Sequence, residues 1–310
     1  MRNLFKILFV LTSALLVNAQ NIPFNSNELY PEGIAYSKKQ DVFFVSSLHY
    51  GNIGKVTRKG VYTEFIIDKD LVSTIGIHAN EKTNLLYVCV SDPGVSVKTD
   101  AKTQMKLAKL IAYDLTTGKR KFATDLGALN KDGGNFANDI DFDNQGNCYV
   151  TNSASPIIYK VTPKGVASIF ATNDNWKKEG FNLNGIVVHP NGYLIAAQSN
   201  TGELYKISIK NPKEINKINT ELMLGADGIF LDSNNELVVI SNSKKEVYEL
   251  KSNDDFATAK ILKTAACEMN FPTTGIVVNK KYYVLNAKLD EIFNPKATKT
   301  SNFLIQEIKF

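Results

Sequence analysis

Cysteine is scarce in this 310-residue chain, which has only Cys89, Cys148 and Cys267. Three thiols cannot make the disulfide framework that holds small secreted domains together, so the fold must rest on a hydrophobic core. Cys89 and Cys148 fall in second strands of neighbouring repeats but at non-equivalent positions, since Tyr87 aligns with Tyr149 and Cys89 with Thr151. They read as buried free thiols, with no histidine nearby in sequence to support a nucleophilic role. Blocks of one charge are missing too. The 36 basic residues are dispersed among 31 acidic ones for a formal charge of +5, which gives no footprint for nucleic acid or an anionic membrane. Low-complexity tracts and coiled-coil heptads are absent. The only long apolar run lies in the first 19 residues, which carry Arg2 and Lys6, an apolar stretch from Ile7 to Val17 and small Ala19. That pattern reads as a secretory signal peptide over residues 1–19, not a membrane span, and no cysteine follows it to take a lipid anchor. The remaining chain, 20–310, is expected to form one large all-β domain, monomeric, without membrane insertion, and secreted or periplasmic.

What the chain does contain is a repeat. The stretch from Leu183 to Ile207 begins with Asn184-Gly185 and a β-branched run (Ile186, Val187, Val188), and turns at Pro190-Asn191-Gly192. It continues as a strand from Tyr193 to Ala197, a turn over Ser199 to Gly202 and a third strand from Glu203 to Ile207. Copies aligned on the Gly-Ile pair have Gly33, Gly76, Asp139, Gly185, Gly228 and Gly275 at the middle position, at intervals of 43, 63, 46, 43 and 47 residues. Such spacing suits four-stranded propeller blades, one of them with an insertion between Asp92 and Lys106. A solenoid would need capping segments, and none is visible, so the expectation is a closed six-bladed β-propeller. The sixth blade lacks an outermost strand of its own. The segment around Ile22 to Asn25 is expected to supply it and close the ring.

Strand direction then sorts the loops. If every first strand starts at a common top face, the long connectors (126–138 and 172–184) and the long loops at 92–106 and 287–300 all return there, which marks it as the binding side. The residues just before the aligned positions are Glu32, Ile75, Asn138, Asn184, Asp227 and Thr274, expected around the mouth of the channel. Two carboxylates, two amide oxygens and a hydroxyl make a ring of hard donors suited to Ca²⁺, with Mg²⁺, Mn²⁺ or Zn²⁺ less well matched. Asn and Asp beside glycine also cap turns, which is the structural alternative at each position.

The combination Pro31-Glu32-Gly33, Asn138-Asp139, Asn184-Gly185 and Asp227-Gly228 resembles the gluconolactonase and senescence-marker (regucalcin) superfamily over nearly the whole mature chain, with paraoxonases as more distant relatives. Phe271-Pro272-Thr273-Thr274 and Tyr282 to Ala287 look like a secreted branch of it. The resemblance implies metal ligation by Glu32, Asn184 and Asp227 with Asn138 beside them. It also implies metal-assisted hydrolysis of a lactone or related ester, with Asp227 as ligand and base and Asn138 orienting water or substrate. One departure bears on the substrate. Sugar-lactone members carry an arginine two residues before the Asn-Asp motif where this chain has Phe136, which points to a less polar ligand than gluconolactone. The histidine pair of paraoxonases is not matched, since Ile75 occupies the first position and His78 lies three residues on.

Around this ring the small-molecule substrate is expected to meet Phe136, Thr274, Trp176 and His49. Trp176 either walls the pocket with Phe136 and Phe181 or packs its own loop onto the blade below. His49, in a top loop, either transfers protons or is simply solvated. The lysines of the insertion from Lys98 onward either form a lid over anionic ligands or face water. Two other readings stay open: a Ca²⁺-stabilised propeller that binds a partner or small molecule without turnover, and, more distantly, a strictosidine-synthase-like condensation.

Overall fold

The computed structural model describes residues 20–310, so the signal-peptide reading of 1–19 lies outside the described residues. Alternating and β-branched runs form 24 strands in six antiparallel four-stranded sheets, and the chain is a six-bladed β-propeller. Blade one is Ile34–Ser37, Val42–Val45, Ile53–Thr57 and Tyr62–Ile66, in that order from the axis outward. Blades two and three start from inner strands Ser73–Asn80 and Ala137–Phe142, and blades four, five and six from Leu183–His189, Ala226–Leu231 and Pro272–Val278. Blade four has a fourth strand not foreseen in its repeat, Ile215–Lys217, only three residues long.

The ring closes as expected. Ile22–Asn25 pairs antiparallel with Asn302–Ile308 as the outermost strand of blade six, with Ile22 opposite Ile305 and Phe24 opposite Phe303. Alternation decides which side chains go in: Ile22 and Phe24 are buried while Pro23 and Asn25 face water. Phe24 packs on Phe303 with ring centroids 5.8 Å apart, and Tyr30 meets Phe303 edge-on at 5.7 Å. These residues join the largest apolar cluster, which runs through blades one, two, three and six.

The inner strands carry the feature that builds the site. In blades two to six each has a bulge at its top end, where two residues face one on the neighbouring strand. In blade three the bulged pair is Asn138-Asp139, between the partners Ala137↔Asn152 and Ile140↔Val150. The backbone there also lies against the next blade. A Cβ on Gly33 would fall 2.3 Å from the carbonyl oxygen of Ile75, and one on Gly185 2.3 Å from that of Asp227. Glycine recurs at the middle position because the adjoining blade leaves no room for a side chain.

Cys89 and Cys148 are buried and free. No helix among the described residues is long and apolar enough to cross a membrane. Removing residues 20–29 strips Ile22, Phe24 and Leu29 from the core, a loss of at least about 5 kcal/mol at ~1.5–3 kcal/mol per side chain. The melting temperature should fall by about 10 °C or more; an unchanged melting curve would show that the ring closes without this strand.

Candidate functional site

Backbone amides at this level that lack a ladder partner are taken up by hydroxyls in blades one and three. Ser46 Oγ accepts from the N–H groups of Glu32 (3.2 Å) and Gly33 (2.6 Å). Thr151 Oγ1, facing the bulge of blade three, accepts from Asp139 N at 3.1 Å and donates to the Asn184 carbonyl at 2.7 Å, linking blades three and four. With the backbone held, Glu32, Ile75, Asn138, Asn184 and Asp227 all line one pocket at the top of the axis, of about 220 Å³.

Thr274 is not among them, and the expectation that it would be needs correcting. In blade six the bulge falls between Pro272↔Asn286 and Gly275↔Val284, so the bulged pair is Thr273-Thr274 and Gly275 takes the place that Ile140 has in blade three. The Gly-Ile tag therefore sits one residue late, and a one-residue slip exchanges the two sides of a strand. Thr273 occupies the ring register, fully buried, its hydroxyl donating to the Glu32 carbonyl at 2.7 Å. Thr274 instead lines a separate cavity of about 310 Å³ lower on the axis, with Asp139, Asp141 and His78. There His78 Nδ1 lies 3.6 Å from Asp141 Oδ1, and its ring packs edge-on against Phe142.

The four oxygen-bearing residues are buried, with exposures of 8% for Glu32 and Asn184 and 4% for Asn138 and Asp227. Asn138 Nδ2 donates to Ser153 Oγ at 2.8 Å, which turns Oδ1 toward the pocket, where it has no partner. Glu32 Oε2 is likewise buried without a partner. Asp227 Oδ2 accepts from Asn242 Nδ2 at 2.9 Å. Burial, with repulsion from Asp227 and then Asp139, holds the Glu32 carboxyl well above its ordinary range. Burial pushes Asp227 up to about 8, with hydrogen bonds from Asn242 and Asn184 opposing and Asp139 adding to it.

Orphaned acceptors beside two acids that burial disfavours as anions are what a cation would relieve. The donor set fits a hard divalent ion such as Ca²⁺: all oxygen, with fewer protein ligands than the six to eight Ca²⁺ takes, so that positions stay open for water or substrate. No group of three or more His, Cys, Asp or Glu is arranged for a metal among the described residues, and half of this set is amide.

Above the oxygens the wall is mainly apolar, formed by Leu48, Ile75, Pro93, Phe136, Phe181, Phe271, Leu289 and Phe293, with Ser199 and Asn242 as its polar members. Phe136 stands where expected, 4% exposed, and meets Phe181 edge-on at 5.0 Å. Trp176 does not line the pocket. It is fully buried between blades three and four and edge-on to Tyr205 at 5.8 Å, which makes it a core residue of its loop. His49 is turned away as well, its Nδ1 3.0 Å from the Val95 carbonyl and its Nε2 3.8 Å from Glu28, and Leu48 contributes to the wall instead. The lysines of the insertion form no lid: Lys98 Nζ donates to the Leu71 carbonyl at 2.8 Å, and only Pro93 of that loop reaches the pocket. Sequence reasoning missed Asn242, Phe271, Leu289 and Phe293. Phe271 has a φ of 56°, a left-handed backbone rare for a large side chain, which nothing in its residue type announces.

Fold and site together define a six-bladed β-propeller with a polar-floored pocket on one face of its axis. Among solved structures the chain is similar to the allergen Mala s 1 of Malassezia sympodialis, at 17% identity over 94% of this chain and 96% of that one with a TM-score of 0.74. It also matches a gluconolactonase from Xanthomonas campestris (13%, 94% and 90%, TM-score 0.65) and virginiamycin B lyase from Staphylococcus aureus (12%, 94% and 100%, TM-score 0.60). No protein-family model and no curated protein matches the sequence. At such identities the shared property is the fold, and a hydrolase and a lyase on one fold leave the chemistry to be argued from the site.

Trp176→Ala should cost about 3–5 kcal/mol in urea unfolding, as for a large core truncation, whereas Phe181→Ala should stay within about 1 kcal/mol. Equal losses would contradict the placement of one ring in the core and the other at the pocket rim.

Proposed function

We propose that the protein is a divalent-cation-dependent hydrolase of a lactone or related ester, working at the floor of the top pocket on a small-molecule substrate, as a secreted or periplasmic monomer. The observation that carries this reading is the convergence of Glu32, Asn138, Asn184 and Asp227 beneath a concave apolar wall, with two of their oxygens lacking any partner. Glu32, Asn184, Asp227 and Asn138 would hold the cation, Ca²⁺ by preference. When bound, the ion would supply Lewis-acid stabilisation of the oxyanion that forms on the carbonyl.

The chain's own groups do the rest. Asn242 and Asn184 fix the Asp227 carboxylate by hydrogen bonding. Asp227 takes a proton from the attacking water as the oxygen of that water bonds to the carbonyl carbon. The ring C–O bond then breaks, and the same proton passes to the departing alkoxide, giving a hydroxy acid. Ser153 fixes the Asn138 amide so that Oδ1 can orient water or substrate, and the apolar wall excludes bulk water from the floor.

The decisive assay is hydrolysis of a lactone and aryl-ester panel by metal-stripped protein with Ca²⁺, Mg²⁺, Mn²⁺ or Zn²⁺ restored. Asp227→Ala should remove cation binding and lower turnover by about 10²-fold or more; full activity in that variant ends the mechanism. If a cation raises the melting temperature and no substrate turns over, the quartet is structural and the protein is a binding module.

The linkage has a definite sign. Asp227 ionises near its ordinary 3.8 when unfolded and near 8 in the metal-free fold, so the folded state holds the extra proton and loses stability as pH rises between those values. Cation binding displaces that proton. The rise in melting temperature on adding Ca²⁺ should therefore be larger at pH 8 than at pH 5, as scanning calorimetry at the two values would read.

A further inference from the structure

We propose that the pocket selects an uncharged lactone or ester with an apolar alkyl or aryl substituent on the side of the molecule away from its carbonyl, and that it rejects polyhydroxylated and anionic analogues. For its reaction this rests on the hydrolase reading above, and for its ligand on the lining alone.

The lining is segregated by chemistry. Glu32, Asn138, Asn184 and Asp227 converge on the floor, while the wall and rim above are mainly aromatic and aliphatic, with Ser199 and Asn242 as the other polar lining residues. Lysine, arginine and histidine are all missing from the lining. With a divalent ion at the floor already balanced by the Glu32 and Asp227 carboxylates, an anionic substituent would find no counter-charge in the wall or rim. A sugar lactone would press most of its hydroxyls against phenylalanine rings that can neither donate nor accept, with only Ser199 and Asn242 to replace the lost water.

The rim gives the orientation. Phe181 is 40% exposed and Phe293 47%, and no other phenylalanine in residues 20–310 is exposed. Phe181 comes from the connector between blades three and four. Phe293 ends the short helix Leu289–Phe293 of blade six, across the ring. The two rings border the same pocket from opposite sides of its mouth, and their uncovered faces are the apolar surface a ligand can bury. A lactone whose carbonyl points down to the oxygens therefore turns the ring carbons remote from the carbonyl, β and γ in a five-membered ring, toward Phe181 and Phe293. Substituents beside the carbonyl would instead crowd the floor.

The test is a series of γ-lactones on Ca²⁺-loaded protein, from the unsubstituted five-membered ring to γ-pentyl, with the α-substituted isomers and glucono-δ-lactone alongside. Both turnover and calorimetric binding are measured. Affinity should rise about fourfold per added γ-methylene until the cavity is full. The α-substituted isomers should gain nothing, glucono-δ-lactone should be the poorest ligand, and Phe181→Ser and Phe293→Ser should each flatten the chain-length dependence. Hydrolysis with no chain-length dependence, or with glucono-δ-lactone preferred, overturns the inference and leaves the hydrolase standing. Graded binding without turnover, lost in the two variants, supports the inference and removes the hydrolase. Absence of any binding overturns both.

Discussion

Two residues have to fit where the partner strand offers one, and this bulge at the top of the inner strands is what the site depends on. Regular pairing would alternate every side chain between the two faces of its blade. The extra residue breaks that alternation and lets Asn138, Asn184 and Asp227 share one pocket, with Glu32 at the head of blade one. In blade three the irregularity leaves the Asp139 amide without a ladder partner, and the second strand brings the Thr151 hydroxyl to it. Through Thr151 the repair of that bulge also ties blade three to blade four, and Ser46 serves the amides of Glu32 and Gly33 in blade one.

Much of this was legible because it is local. The Gly-Ile tags mark where one inner strand runs against the next blade, and a glycine forced by close approach leaves a sequence trace in blades one, two, four and five. The tag failed in blade six for a physical reason. There the middle position is Thr274, whose side chain lies against Gly228, and the glycine follows one residue later, so alignment on glycine chose the wrong threonine. The closing strand was legible from a count of strands. What stayed hidden depends on how loops fold back: connector length reveals that a loop lies on the top face, but not that Phe181 turns inward while Trp176 goes into the core. Asn242 was invisible for a related reason, since its role is fixed by the 2.9 Å contact with Asp227 from a neighbouring turn.

The electrostatics of the floor follow from the same geometry. Convergence on an axis places Glu32, Asp227 and Asp139 within reach of one another's charge, in a region too buried for water to screen it. Neutral amides as the other two members keep the set from becoming more anionic than one divalent ion can balance. The apolar wall adds to this, because a dry surround strengthens whatever interaction the oxygens make.

The strand that closes the ring also decides where residues 20 and 310 lie. Asn25 pairs with Asn302 at the pocket end of blade six, and the two strands run antiparallel away from it, so that the Gln20 amide donates to Glu307 Oε2 at 2.9 Å near the opposite end. Residues 20 and 310 thus lie side by side on the face away from the pocket. A surface or fusion partner attached through either residue would hold the propeller like a stud, with the pocket pointing outward. A short linker joining residues 20 and 310 would give a continuous ring of chain that could be reopened at any of the turns on the distal face.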